Sequence, residues 1–246
     1  MNFFKTLVWY MVSGVFIFTL NKFEFISAFT SAIATIILVL VLLSYSVYHL
    51  NIIPRKIEKV TRILLEDLDA QKSIVELTKL LESKKMTKIS KVEARLALVL
   101  GYVADGKETQ AIEICKRLLK KIDSRRASYV YYHLSLIYLS QGDLKNGLVY
   151  YQLVNSAKHT IHSKNMMLNL EALVDYLQGR YDESLNKFQV ILEDIRSEYH
   201  KLTVHFRLAE VYKALDDINK QKEHLQYVSK HGKKLHIANV ARRMVN

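Results

Sequence analysis

Two long apolar stretches open the chain, and an amphipathic pattern with helical period fills the rest. The first stretch runs from Thr6 to Leu20 and the second from Ile26 to Leu50, and neither contains Asp, Glu, Lys or Arg. As a helix, the 25 residues of the second stretch rise ~37 Å at ~1.5 Å per residue, enough to cross a hydrocarbon core of ~30 Å. The pattern predicts a two-span transmembrane hairpin over residues 1–52.

The first stretch is also compatible with a cleaved secretory signal, because small residues follow its apolar run. Those small residues lie inside the second stretch, so cleavage there would destroy the better span, and an uncleaved first span is favoured. Arg55, Lys56, Lys59 and Arg62 follow the second stretch, whereas the turn between the stretches offers only Lys22. The positive-inside rule therefore predicts a multi-pass protein of the cell membrane with both termini in the cytoplasm.

Residues 53–246 are predicted to form one all-α repeat domain. The whole chain contains a single proline and seven glycines, and this scarcity of helix breakers favours helices throughout. Gly106, Gly142 and Gly179 recur at separations of 36 and 37 residues, and a further 37 residues leads to Asp216. Apolar residues at helical spacing flank these turns. A fixed period in this range is typical of stacked helical repeats.

The repeated unit resembles the tetratricopeptide repeat (TPR). Asp175 departs from the family's pattern, since it stands where the third unit should have a tyrosine. The other matching positions are aromatic in the first helix of a unit, or small where its two helices approach each other: Tyr102, Tyr138, Tyr212, Ser135, Ala172, Ala209, Ala111, Gly147 and Ser184. The resemblance implies an α-solenoid of about four to five helix pairs with a terminal capping helix.

In the TPR family, the first helices of the units line a concave groove that holds a peptide. The resemblance therefore implies a protein or peptide partner, whose identity the sequence does not name. The alternative is that the same side chains pack against the chain's own N-terminal or C-terminal helix. The implied partner-binding groove contains Leu96, Leu100, Tyr129, Tyr132, Leu136, Met166, Asn169, Leu173, Tyr176, Phe206, Glu210 and Lys213.

Catalytic motifs are missing from the sequence. It has no phosphate-binding glycine loop, no paired Cys-x-x-Cys and no nucleophile elbow. The single cysteine, Cys115, falls at a core position of the repeat. We therefore expect no enzyme activity, no cofactor and no metal site.

The chain is basic, with a net charge of +12. An ordinary solvated face and attraction to the anionic lipid bilayer both fit this charge. Nucleic acid is disfavoured, because no recognised nucleic-acid motif appears. Contact with anionic lipid is expected at the basic residues that follow the second apolar stretch and at those near the C-terminus: Arg55, Lys56, Lys59, Arg62, Lys233, Lys234, Arg242 and Arg243.

These features predict a membrane-anchored scaffold for protein–protein interaction, which uses a cytosolic TPR-like groove. The alternative is a non-catalytic regulatory or assembly subunit of a membrane protein complex, in which the transmembrane helices contact the partner.

Overall fold

All regular structure in the described part of the chain is helical, which confirms the all-α prediction. The computed structural model describes Val15, Thr19 and residues 28–48, 52–83, 86–156 and 163–245. The helices are α1 (Ala28–Val47), α2 (Ile53–Leu65), α3 (Ala70–Glu82), α4 (Lys88–Ala104), α5 (Glu108–Leu119), α6 (Ser124–Ser140), α7 (Leu144–Ser156), α8 (Lys164–Leu177), α9 (Tyr181–Asp194), α10 (Glu198–Ala214), α11 (Ile218–His231) and α12 (His236–Val245).

The helices from α2 to α11 form five pairs, and the two helices of each pair are joined by a short connection and pack together. In the turn at Gly142, the Asp143 amide donates to the Tyr138 carbonyl at 2.9 Å, as in a Schellman motif. The residue in the left-handed region is a glycine in three pairs, where the missing Cβ removes the strain. One left-handed residue occupies each turn, with φ between 57° and 80°: Leu68, Gly106, Gly142, Gly179 and Asp216.

Small buried residues let the helices within a pair approach closely. The Ser184 hydroxyl donates to the Ala172 carbonyl at 2.8 Å, and both residues are buried. The Ser135 hydroxyl likewise donates to the Gly147 carbonyl at 2.9 Å. A Cβ added at Gly147 would lie 2.6 Å from Cγ of Leu139, so the backbone there is too close for a larger residue. The helices of these pairs are therefore in contact through backbone as well as side chains.

The row of helix pairs closes on itself, because its last helices pack against its first. Leu64 of α2 and Leu68 of the following turn belong to one buried cluster. The same cluster contains Leu225 of α11 and also Leu235 and Ala238 around the start of α12. Helices α10 and α2 are also in contact. The repeat domain is therefore a short closed superhelix rather than an open solenoid.

The predicted localisation as a multi-pass membrane protein with two spans is wrong for the described part of the chain, where no helix is long and apolar enough to cross a membrane. Helix α1 covers 20 residues of the predicted second span. Apart from Val15 and Thr19, the predicted first span lies outside the described residues.

Candidate functional site

The first helices of four consecutive pairs, α4, α6, α8 and α10, line a partly enclosed cavity of about 660 Å³. Ile237 and Val240 of α12 contribute to its wall, as do residues 195–197 between α9 and α10. The cavity therefore depends on the closure of the superhelix, which brings α12 beside the concave face. Its volume lies within the range of ~300–1,000 Å³ that is usual for ligand pockets.

Most of the predicted groove residues reach this cavity. They come from all four helices that line it, and their side chains combine apolar surface with an amide, a phenol and a carboxylate. This mixture lets the cavity accept an apolar group and also hydrogen-bond a polar one. The predicted groove residues that line it are Leu100, Tyr132, Leu136, Met166, Asn169, Phe206 and Glu210.

The other five predicted groove residues do not line the cavity. Leu173 is only 2% exposed and belongs to the buried cluster that α8 shares with its neighbours. Tyr176 packs against Tyr181, with ring centroids 5.7 Å apart. Leu96 packs against the buried cluster of α4, α5 and α6, Tyr129 is half-buried, and Lys213 is exposed. A role of these residues in partner binding stays a prediction.

Several cavity residues were missed by sequence reasoning. Asn165, Thr203 and Arg207 lie on the helices that carry predicted groove residues, one turn or less from them, so helical spacing could have found them. Ile237 and Val240 could not be found in this way, because they reach the cavity only through the packing of α12 against distant parts of the chain.

Polar groups in the cavity wall are largely bonded to one another. Arg207 Nη1 lies 2.6 Å from Glu210 Oε2. Burial raises the pKa of Tyr132, an effect that its hydrogen bond to Asn169 partly opposes. Burial also raises the pKa of Tyr199 to about 12. These tyrosines are therefore neutral at ordinary pH. Their hydroxyl groups can form hydrogen bonds but add no negative charge to the cavity wall.

The residues predicted to contact anionic lipid fall into two groups. Those from Arg55 to Arg62 are exposed along α2, and Arg62 is paired with Glu58 at 2.7 Å. Near the C-terminus, Lys233 donates to the Asp67 carbonyl at 3.2 Å. The second group consists of Lys233, Lys234, Arg242 and Arg243, and the first three of them make internal hydrogen bonds. Lipid contact stays a prediction for both groups.

No protein-family model and no curated protein matches the sequence. Among solved structures, the chain is similar to the Podosopora anserina putative kinesin light chain with nearly identical TPR-like repeats. The TM-score is 0.42 and the identity 15%, over 78% of this chain and 96% of that one. A glutamine-to-methionine variant of the same protein gives a TM-score of 0.42 and 16% identity, over 77% and 96% of the two chains. Similarity at this level carries no argument about function.

Proposed function

We propose that the chain is a non-catalytic interaction module that holds a short segment of a partner protein in the cavity of its concave face. The observation that carries this proposal is the cavity of about 660 Å³, to which four consecutive helix pairs and α12 contribute side chains. A surface assembled from so many elements presents several contacts to one ligand at fixed positions.

The chemistry of the wall supports a peptide-like ligand. Leu136, Met166 and Phe206 offer apolar surface for a side chain of the partner, and Asn165 and Asn169 offer amide donors and acceptors. Peptide segments carry this combination, since backbone amide groups alternate with side chains. Interfaces of this kind depend on a few well-buried apolar anchors.

The chain's single cysteine is unsuited to act as a catalytic nucleophile. Cys115 is fully buried between α5 and its neighbours, and burial raises the pKa of its thiol to about 12. The reactive thiolate form is therefore scarce at ordinary pH, and a substrate has no access to the sulfur.

The proposal is tested by selecting peptides from a displayed random library on the full chain and measuring their affinity by calorimetry. Thr203 faces the cavity, so Thr203→Trp should fill it and weaken binding of a selected peptide by roughly tenfold or more. Phe206→Ala, which removes an apolar contact from the same wall, should weaken binding in the same direction.

Val190→Trp is the matched control, because Val190 is 47% exposed on α9 and does not line the cavity. It should leave the affinity unchanged, and circular dichroism should show native helix content in all three variants. Selected peptides that bind the folded Thr203→Trp and Phe206→Ala variants as tightly as the unaltered chain would contradict the proposed site.

A further inference from the structure

A second cleft, of about 810 Å³, lies between the start of α4 and the connection from α5 to α6. Its apolar side chains include Val92, Leu118 and Ile122. None of its lining residues belongs to the cavity of the concave face. We name it the basic cleft, after the five cationic residues that line it: Lys88, Lys91, Arg95, Lys121 and Arg126.

Most of this positive charge is not neutralised by the protein. Among the described residues that line the basic cleft, Asp123 is the single acidic one, and its Oδ2 lies 2.7 Å from Arg126 Nη1. Glu93 on α4 also interacts with Arg126. Within the described part of the chain, the other four cations of the cleft make no ion pair. The cleft therefore keeps a surplus of positive charge.

The fold holds these charges near one another. Lys91 and Arg95 are half-buried one helical turn apart on α4, so their stems cover apolar surface while their charged ends reach the cleft. Like charges gathered around one cleft repel each other, and an anion bound between them would remove that repulsion.

Two helix N-termini lie at the basic cleft. Helix α4 begins after Thr87, whose hydroxyl accepts the Ser90 amide at 3.1 Å, and α6 begins after Asp123. The N-terminus of a helix carries about half a positive charge from its aligned peptide dipoles. The cationic side chains and the α4 dipole therefore favour an anionic ligand. At α6 the Asp123 carboxylate accepts the Arg126 amide at 3.0 Å and already complements the dipole.

We propose that the basic cleft binds a small free molecule that carries several phosphate groups, such as an inositol polyphosphate or an inorganic polyphosphate chain. Its volume fits the range of ~300–1,000 Å³ for small-ligand sites. Single-stranded nucleic acid fits less well. Sites for it stack bases on aromatic side chains, and none of the described residues that line this cleft is aromatic.

Calorimetry with inositol hexakisphosphate and with inorganic triphosphate tests the proposal on the full chain at physiological salt. The triple variant Lys91→Ala/Arg95→Ala/Lys121→Ala should weaken the binding of both probes by roughly tenfold or more, since it removes charge-assisted hydrogen bonds. Each probe should also raise the melting temperature of the unaltered chain, because it binds the folded state.

The matched control removes three positive charges elsewhere, in Lys145→Ala/Lys222→Ala/Lys230→Ala, all at exposed positions outside the cleft. It should change the affinity by less than about twofold, because salt screens distant exposed charges. Equal weakening by the two triple variants would show attraction to the overall net charge and overturn the proposal. Undetectable binding of both probes by the unaltered chain would overturn it as well.

A further arm distinguishes a free phosphorylated molecule from a lipid headgroup of the same chemistry. It uses phosphatidylcholine vesicles that contain phosphatidylinositol bisphosphate, in a flotation assay. Vesicle binding that is equal for the unaltered chain and the cleft variant supports the free ligand. The opposite result would be vesicle binding that is lost in the cleft variant, while the unaltered chain binds neither free probe. This result would assign the site to the lipid and overturn the proposal.

Discussion

The ammonium of Lys234 lies 3.2 Å from the carboxylate of Asp69, although 165 residues separate them along the chain. Asp69 also caps α3 by accepting the Lys72 amide at 3.0 Å. The hydrogen bond to Lys72 and the contact with Lys234 hold the pKa of the Asp69 carboxyl below its usual range. Because Lys234 is largely exposed, this pair by itself contributes little stability. The closure of the superhelix depends on the apolar cluster beside it.

The closure predicts energetic coupling between the first and last helices. Leu64 and Leu235 are fully buried in one shared cluster, so Leu64→Ala and Leu235→Ala should each cost about 2–5 kcal/mol in the free energy of unfolding. Urea unfolding of the two variants and of their combination should show non-additivity of about 0.5–3 kcal/mol. Leu64→Ala combined with Leu173→Ala, in a separate cluster, should be additive. Additivity in both combinations would contradict the closure.

Gly147→Ala should destabilise the protein, although alanine is usually favoured over glycine inside a helix by about 1 kcal/mol. The added Cβ would lie 2.6 Å from Cγ of Leu139, which is itself buried, so the Leu139 side chain or one of the two helices has to shift. We expect a loss of about 1–3 kcal/mol in the free energy of unfolding. Asn146→Ala on the exposed side of α7 is the neighbouring comparison, where only the hydrogen bond from the Asn146 side-chain amide to Asp143 is lost. A gain in stability in Gly147→Ala would show that the pair is more loosely packed.

Asp175 is 5% exposed and is paired with Arg180 and Lys187. Asp175→Ala should lower the free energy of unfolding by about 2 kcal/mol, because both cations lose their acceptor but still reach solvent. Asp175→Ala/Lys187→Met should recover part of this loss. Asp182→Ala, at an exposed acidic residue of α9, is the control in chemical denaturation. If the two aspartate variants lose equal stability, the buried ion pair is not the cause.

We expect the stability of the protein to fall in mild acid, because His205 and His224 have lowered pKa values. Their Nδ1 atoms are 2.7 Å apart, so one ring must donate and the other accept. Burial, followed by the charges of His224, Lys201 and His231, lowers the pKa of His205 to about 4, and burial lowers that of His224. The unfolded chain, with histidine pKa values near ~6.5, binds more protons than the folded chain below that pH.

The free energy of unfolding should therefore be fully retained above about pH 6.5 and should decrease as the pH falls toward about 4. Urea unfolding measured across this range tests the expectation. His205→Phe should reduce the slope, because it removes the histidine whose pKa is lowered to about 4. His236→Gln, which changes an exposed histidine outside this pair, is the control. An unchanged slope in His205→Phe would show that other groups cause the acid sensitivity.

Local signals in the sequence determined the helical class and the positions of the turns. A residue in the left-handed region and two backbone hydrogen bonds within six residues are enough to end a helix at Gly106, Gly142 or Gly179. Small residues such as Ala172 and Ser184 likewise mark where two helices of one pair touch. Each of these features involves residues that are close in sequence and recurs once in every repeat. The turns and the contact positions can therefore be located from the sequence alone.

Only the tertiary structure determined which residues line the cavity of the concave face and which are buried. The contact of Leu64 with the cluster around Leu235 joins segments far apart in sequence, and no local pattern encodes it. This packing brings α12 beside the cavity, while contacts between neighbouring pairs bury Leu173. Side-chain burial depends on which surfaces meet, and that is a property of the whole fold.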